Sequence, residues 1–304
     1  MTELELADEE VTGGAWHALP SRRLSLPPRW RNPIGLIGAG IVGFNCLVAV
    51  LGSVVWRLDP NSPEYTRLLG PSWAHPFGTD AIGRDTLARI IHGSQVSLQV
   101  GVIAVGIAFV AGTLIGLVCG YARGLVDGFL MRIVDMLFAF PGLVLAIVIS
   151  GLLGPTRTNA MIAIGVSITP MFARVVRAAV LETMSLPFIE SARALGASPS
   201  RLIGRHILPN ILAPLIVLIT VYLATAILTE AALSFLGLGT QPPEASWGNM
   251  LNEARGYVSQ SVWMSVFPGA AIMIMVLGFN FLGDGLRDVL DPRIGPRIAA
   301  IVPE

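Results

Sequence analysis

Long uncharged apolar stretches dominate the chain and alternate with short segments that carry arginine. A helix rises about 1.5 Å per residue, so about 20 apolar residues are needed to cross a hydrocarbon core about 30 Å thick. Stretches of this length predict six membrane-spanning helices, at 34–56, 94–122, 136–156, 158–180, 207–229 and 256–283. The fourth is long enough only if Arg174 and Arg177 reach the interface with their guanidinium groups. The predicted fold class is therefore an all-α membrane protein.

Arginine is concentrated in alternate connections, and this predicts an orientation. Four arginines precede the first span, two lie at 123–132, five at 174–205 and three after residue 283. Because basic loops stay on the cytoplasmic side, we expect both termini to be cytoplasmic. The loop at 57–93 also carries four arginines, on the opposite side, and runs against this rule.

The chain divides along these boundaries into five predicted segments. The apolar run after residue 33 is too long for a signal peptide and has no obvious small-x-small cleavage site, so we interpret it as a retained helix. The segments are a cytoplasmic N-terminal segment (1–33), the first spanning helix (34–56), an extracytoplasmic loop (57–93), a five-helix core (94–290) with a cytoplasmic loop at 182–206, and a cytoplasmic tail (291–304).

The extracytoplasmic loop ends in an amphipathic pattern. Three apolar residues share one helical face and charged residues surround it: Leu87, Ile90 and Ile91, with Arg84, Asp85 and Arg89. Gly93 suits a helix C-terminus, so the pattern predicts a short helix lying on the outer surface. Two interpretations stay open: a solvated connector with paired charges, or a docking surface for a partner protein formed by Asp80, Arg84 and Asp85.

The second predicted span carries small residues at intervals of four. Ala108, Gly112, Gly116 and Gly120 therefore lie on one stripe of the helix. Such a stripe allows the backbone of another helix to approach closely. The pattern predicts helix packing and says little about transport.

The cytoplasmic stretch 185–209 predicts two short helices joined by a glycine. Pro187 is placed where a helix begins and Gly196 where one ends. Ser198 followed by Pro199 is typical of the start of a second helix. We call this predicted helix–glycine–helix unit the elbow.

Each arm of the elbow has an apolar face. The first face consists of Phe188, Ala192 and Leu195, and the second of Leu202, Ile203 and His206. A rigid elbow with apolar faces is suited to receive force from a soluble partner. The alternative is an interfacial hairpin whose arginines contact anionic lipid headgroups.

Composition narrows the functional classes. Hydrophobic residues make up 53% of the chain and charged residues 13%, against about 25% charged in an ordinary globular protein. The net charge is zero, which gives no indication of nucleic-acid binding. All 20 basic residues are arginine, and a phosphate-binding Gly-x4-Gly-Lys-Ser/Thr loop is impossible without lysine. The chain is thus expected neither to bind nor to hydrolyse ATP.

Enzymatic and metal-binding chemistry also lack the required residue patterns. Cys46 and Cys119 are isolated in apolar runs, and the four histidines are scattered without a metal-binding spacing. The sequence contains no nucleophile-elbow or zinc-protease motif. We therefore assign no catalytic residue and no metal ligand.

An ion-coupled secondary transporter is the main rival function. Such a transporter needs ionisable groups near the middle of the membrane. The candidates are Asp135, at the predicted start of the third span, and Glu230, near the outer end of the fifth. Both positions lie toward interfaces, which disfavours a proton relay. Glu230 is either a snorkelling or capping acid or part of an outer gate.

The elbow sequence resembles the EAA loop of bacterial ABC importer permeases. Glu190, Ala192, Gly196 and the Leu208-Pro209 pair match that pattern, whereas Ser191 and His206 depart from it. Further segments resemble the C-type permeases of dipeptide, oligopeptide and nickel importers: Asn32-Pro33, Phe77-Gly-Thr-Asp-x-x-Gly-Arg-Asp85, Phe140-Pro-Gly142, Glu230-Ala-Ala-Leu-Ser-Phe-Leu-Gly237, Pro242-Pro243 with Ser246-Trp-Gly248, and the segment from Gly283 to Pro292. The resemblance extends from about residue 32 to 293.

The resemblance implies a type I ABC importer permease in the bacterial inner membrane. Its implied partners are a second permease, two ATPase subunits that bind ATP and Mg²⁺, and an extracytoplasmic binding protein; the chain itself would hold no cofactor. The implied substrates are di- or oligopeptides, with nickel or a metal chelate as the alternative. The residues assigned to coupling with an ATPase subunit are Phe188, Glu190, Ser191, Ala192, Leu195, Gly196, Leu208 and Pro209.

Overall fold

The computed structural model describes residues 32–290. The predicted tail at 291–304 and all but the last two residues of the predicted N-terminal segment lie outside the described residues. The helices are α1 (Pro33–Val55), α2 (Thr86–Ala122), α3 (Gly124–Phe138), α4 (Gly142–Leu153), α5 (Arg157–Met184), α6 (Pro187–Ala194), α7 (Pro199–Arg201), α8 (Leu208–Phe235), α9 (Trp247–Ala254) and α10 (Trp263–Leu290). Within the described range the only β-type pairing is one isolated bridge between Thr79 and Asp85.

Between residues 32 and 290, five helical stretches are long and apolar enough to cross a membrane, and a sixth is bent. The bent pair is α3 and α4, which meet at an angle of 90°. This corrects the straight third span predicted at 136–156. The break falls at Phe140-Pro141, because proline has no N–H for the helix ladder and restricts the residue before it to extended conformations. With the bent pair taken as one span, the predicted count of six agrees with the structure.

The glycine stripe of α2 packs against α5, as predicted. A Cβ added to Gly112 would lie 2.4 Å from Phe172 Cβ, and one added to Gly116 would lie 2.6 Å from Val176 Cβ. Both distances are far below van der Waals contact, so only glycine permits this approach. The seam between α2 and α5 forms the centre of the larger hydrophobic core.

Helix α1 packs along α10 and leaves much of its surface exposed. Gly35 and Gly285 face each other, and a Cβ on Gly285 would lie 2.4 Å from Gly35 Cα. The amide of Asn32 donates to Asp288 Oδ2 at 2.5 Å, which joins the start of α1 to the end of α10. The elbow connects the end of α5 to the start of α8, and it lies at this same end of the bundle. We call this end the elbow end. The opposite end carries the 56–85 segment and α9, and we call it the loop end.

Helix α2 begins at Thr86 and continues past Gly93, so the predicted separate amphipathic helix is wrong. Asp85 caps the helix, its Oδ1 accepting from the backbone N–H of Ala88 at 2.8 Å. Gly93 is not a stop: a Cβ there would lie 3.0 Å from Trp247 Cδ1. The indole N–H of Trp247 donates to the carbonyl of Ile90 at 3.1 Å. The glycine therefore serves a helix–helix contact.

Candidate functional site

The elbow has the turn that its sequence predicts. Helix α6 begins at Pro187, and Gly196 has φ +80°. The N–H of Gly196 donates to the carbonyl of Arg193 at 2.9 Å, and the N–H of Ala197 to that of Ala192 at 3.0 Å. This pair of hydrogen bonds is the Schellman arrangement that ends helices at a left-handed residue. The direction of α6 relative to the following helix therefore depends on Gly196.

One side chain anchors α6 to the bundle while others point away from it. Ile189 is fully buried and belongs to the same hydrophobic core as Val180 and Ile207. Phe188 is 40% exposed and Leu195 89% exposed, so both side chains reach the surface of the elbow. Ile189 was not predicted as an anchor, although it follows Phe188 directly and lies about 100° round the helix from it.

The second arm of the elbow is not a separate helix. Helix α7 continues through a π-helical segment, Leu202–Ile207, into α8 without a break. Ser198 takes the predicted N-cap position with extended backbone, but its hydroxyl lies 3.3 Å from that of Ser200 and does not cap the helix. The helix that contains the fifth span therefore starts at Pro199 and not at residue 207. The elbow is joined rigidly to it.

Pro209 accounts for the π-helical segment. Proline has no N–H to donate to the carbonyl four residues earlier, that of Arg205, and its ring clashes with that carbonyl. The N–H of Leu208 donates instead to the carbonyl of Ile203, five residues earlier. Such widened turns occur mostly as single insertions in helices and often at functional sites. The Leu208-Pro209 pair of the EAA-like pattern thus has a local structural role.

The second predicted apolar face points inward. Leu202 is 1% exposed, and Ile203 packs against the core. The ring of His206 lies 6.2 Å from that of Phe188, between the two arms. Only the first arm of the elbow therefore presents apolar side chains to the outside.

The polar residues of α6 lie on its surface. Glu190 is exposed in the first turn, where an acid is favoured by the helix dipole, and Arg193 occupies the last turn. The Ser191 hydroxyl donates to the carbonyl of Pro187 at 3.1 Å. Across residues 32–290, no ion pair involves Glu190. Its carboxylate is available to a partner.

A buried cluster of four charged residues lies at the loop end. Arg84 Nε contacts Asp80 Oδ2 at 2.5 Å, and its Nη2 contacts Glu253 Oε2 at 2.6 Å. Arg89 Nη2 contacts the same Glu253 oxygen at 3.0 Å. The Arg89 side chain is 1% exposed and that of Arg84 8%. We call Asp80, Arg84, Arg89 and Glu253 the loop-end cluster.

The same region is fixed by Asp85. Its Oδ2 lies 2.8 Å from His75 Nδ1, and its Oδ1 also accepts from the indole N–H of Trp56 at 3.3 Å. Asp80, Arg84 and Asp85, predicted as a docking trio, are thus engaged inside the chain, and their docking role stays a prediction. The exposed side chains of this loop include two large apolar ones: Trp73 is fully exposed and Ile82 is 52% exposed.

Glu230 is buried between two helices. It is 1% exposed, which excludes snorkelling. Its Oε2 accepts from the Ser97 hydroxyl of α2 at 3.1 Å and its Oε1 from the Ser234 hydroxyl at 2.7 Å. The carboxyl group therefore joins α2 to α8 near the loop end.

No metal site emerges from the residues that the structure describes. Among them, no group of three or more His, Cys, Asp or Glu side chains could hold an ion.

The sequence matches a family model and many related proteins. Residues 112–296 match the family "Binding-protein-dependent transport system inner membrane component". The chain is 44% identical to the dipeptide transport system permease protein DppC of Alkalihalophilus pseudofirmus, over 87% of each chain. It is 41% identical to the probable D,D-dipeptide transport system permease protein DdpC of Escherichia coli, over 87% of this chain and 89% of that protein.

A third relative and a solved structure complete the comparison. The glutathione transport system permease protein GsiD of Escherichia coli is 49% identical over 74% of each chain. A chain of the inward-facing MetNI methionine ABC transporter superposes with a TM-score of 0.55 and 22% identity, over 66% of this chain and 96% of that one. At this identity the likeness concerns the fold.

Proposed function

The chain belongs to the family of inner membrane components of binding-protein-dependent transport systems, and we propose that it forms, with a second permease, a path for peptides. It is an inner-membrane permease of the ABC importer type, and ATP hydrolysis is carried by separate subunits. The names of three relatives support peptides as substrates: one is named for dipeptides, one for D,D-dipeptides and one for glutathione, a tripeptide.

The exposed elbow is the observation that carries the coupling part of the proposal. A soluble ATPase subunit must contact the membrane protein through a rigid element that projects from it. Helix α6 meets this need, because Ile189 holds it to the core while Phe188 and Leu195 face outward. Its Glu190 carboxylate adds a charge at the same surface. Since α7 runs directly into α8, a displacement of the elbow is transmitted to a spanning helix.

The coupling role is tested with Gly196→Val in the reconstituted importer. A β-branched residue is strained at φ +80° although space around the site is open, so α6 should be misdirected. We expect loss of substrate-stimulated ATP hydrolysis with normal assembly. The matched control is Gly204→Val, where space is equally open and φ is not left-handed. Wild-type stimulation in the Gly196→Val complex would overturn the coupling role.

The charge at the elbow is tested separately with Glu190→Ala. This change removes an exposed carboxylate without altering the backbone. We expect weaker substrate-stimulated hydrolysis, milder than that of Gly196→Val, because the apolar contacts remain. Co-purification of all subunits serves as the check on assembly.

The substrate class is tested by uptake into vesicles containing the complete importer and its binding protein. Labelled dipeptide, glutathione, a pentapeptide and a nickel chelate are compared. We expect one of the peptides to be transported and the nickel chelate to be excluded. Uptake of the nickel chelate alone would overturn the peptide assignment.

The loop end is proposed to receive the binding protein and to close the path. Asp80, Arg84 and Asp85 contribute by holding the folded loop that presents Trp73 and Ile82. Glu230 is proposed as part of the outer closure because it joins α2 to α8 there. Glu230→Gln keeps the shape of the side chain, and we expect it to raise hydrolysis in the absence of binding protein.

A further inference from the structure

A polar cavity lies between α3 and α5 toward the elbow end. Its volume is about 430 Å³, and six residues line it: Asp127, Gly128, Met131, Asp135, Arg174 and Arg177. Four of these carry charge, two of each sign. Asp135 was predicted at the start of a span, but it lies near the end of α3, on the cavity side.

The four charges form two ion pairs of different exposure. Arg177 contacts Asp127 through two hydrogen bonds, both of 2.6 Å. Arg174 contacts Asp135 at 2.5 Å, and these two side chains are 43% and 52% exposed. The second pair is therefore open to whatever fills the cavity. The guanidinium group of Arg174 also lies 4.2 Å from the centre of the Phe138 ring.

Helix α3 has two unlike exposed faces. Asp127, Met131 and Asp135 follow one another at intervals of four and share the cavity face. On the opposite face Phe129 is 68% exposed and Met136 57% exposed, and Arg132, one turn before Met136, is exposed as well. Apart from Arg132 this face is apolar and suits lipid or a partner helix. The charged face does not.

Lipid is a poor occupant of the charged face. Ionised side chains inside a membrane face a protein interior or a water-filled cavity, because exposure to hydrocarbon is costly. Arg174 belongs to α5, one of the helices long and apolar enough to cross a membrane, and lies in the half of it nearer the elbow end. A charged group there needs water or the headgroup interface beside it, not lipid chains.

We propose that this cavity is part of the water-filled translocation path, and that Asp135 and Arg174 present one acid and one base to a zwitterionic substrate. The inference rests on the proposed function and adds the side chains that meet the substrate within this subunit. The ammonium group of the substrate would contact Asp135 in place of Arg174, and its carboxylate would contact Arg174 in place of Asp135. The Asp127–Arg177 pair is less exposed and holds α3 to α5.

The test compares two methionines on opposite faces of α3. Met131→Cys and Met136→Cys are introduced separately after Cys46 and Cys119 are replaced by alanine, and the complete importer is treated with a charged, membrane-impermeant thiol reagent. We expect Met131→Cys to be labelled at least tenfold faster. Equal labelling rates would mean that both faces have the same surroundings. Absence of labelling at Met131→Cys would mean that water does not reach the cavity. Either result overturns the proposal.

Substrate contact is tested by protection. A saturating dipeptide with free termini should slow labelling of Met131→Cys at least threefold, and the same dipeptide with both termini blocked should not. Equal protection by both, or by neither, would overturn the assignment of Asp135 and Arg174 to the charged termini. Peptide uptake by the unlabelled wild-type importer is measured alongside. Its failure would count against the proposed function, whereas labelling of the cavity does not depend on the substrate.

Discussion

The first arm of the elbow and the segment 84–93, which carries two residues of the loop-end cluster, have similar amphipathic patterns and opposite structures. Each follows an amphipathic pattern of charged and apolar residues that ends at a glycine, Gly196 in one and Gly93 in the other. At Gly196 the chain turns in open space with φ +80°, and at Gly93 it continues as a helix pressed against Trp247. The charged residues of the two segments differ in the same way: Glu190 is exposed, whereas Arg89 is buried.

The residues after each glycine explain this difference. Gly196 is followed by Ala-Ser-Pro, and the proline at 199 cannot continue the preceding helix. Gly93 is followed by Ser-Gln-Val-Ser-Leu, without proline. A glycine inside a helix costs only about 1 kcal/mol relative to alanine, which the packing of α2 readily offsets. A terminal glycine is thus informative only together with the residues that follow it.

The largest expected effect separates the two regions across the membrane. Single cysteines at Thr66 and Ser200, both exposed, should be labelled by an impermeant reagent from opposite sides. The reason is the predicted six-span topology, in which the elbow end is cytoplasmic. Native Cys46 and Cys119 are first replaced by alanine. Labelling of both positions from one side would contradict the topology and the comparison built on it.

The next prediction concerns the burial of the loop-end cluster. Glu253→Gln removes the acid shared by Arg84 and Arg89. Breaking a buried ion pair leaves an uncompensated charge, so we expect a loss of about 3 kcal/mol in stability, with Asp80 limiting the effect. Unfolding of the purified protein in detergent is the measurement.

An exposed ion pair at the same end provides the control. Glu244 pairs with Arg157, and about a third of each side chain is exposed. Glu244→Gln should cost less than about 1 kcal/mol, because solvent screens such pairs. Equal losses of stability in Glu253→Gln and Glu244→Gln would mean that solvent screens the loop-end cluster as well as it screens a surface ion pair.

The seam between α2 and α5 connects the two regions and gives a third prediction. Gly116→Ala places a methyl group 2.6 Å from Val176 Cβ and 2.7 Å from the carbonyl oxygen of Ala173. Overpacking of this kind costs about 2 kcal/mol. Gly106→Ala, on the same helix with open space around it, should not destabilise the protein. The ratio of the two thermal shifts in detergent measures how tightly the seam is packed.

Periodicity and length predicted most of the spanning architecture. The small-residue stripe of α2 predicted a close helix contact, and the structure supplies α5 as the partner. The turn at Gly196 was also predicted, because its signals lie within ten residues of sequence. Local signals of this kind do not require knowledge of the distant contacts.

Features that depend on distant partners were not predictable. Glu253 lies more than 160 residues from Arg84 and Arg89, and nothing in the sequence pairs them. When the pairing with Glu253 is not known, two arginines in an outer loop are expected to lie on the surface. Asp135 was misplaced for a related reason: the bend at Pro141 moved the third span, and Arg174 became its partner.

The smallest expected effect is a graded one at Gly196. Alanine in a left-handed conformation costs about 1 kcal/mol, and asparagine less, because its side chain can bond locally. Space around Gly196 is open, so backbone conformation alone should order the variants. Substrate-stimulated ATP hydrolysis in the reconstituted importer should therefore fall slightly in Gly196→Asn and further in Gly196→Ala, while Gly204→Ala stays at the wild-type level.

The same series separates a steric role of Gly196 from a conformational one. If an ATPase subunit packs directly on Gly196, the larger asparagine should be worse than alanine, and the order of the two variants reverses. If the left-handed turn is what matters, asparagine should be the better substitute. Thermal stability should change little in either variant, because α6 is held to the core through Ile189 and not through the turn. The contrast with Glu253→Gln then completes the comparison: the exposed region affects coupling with little change in stability, and the buried region affects stability first.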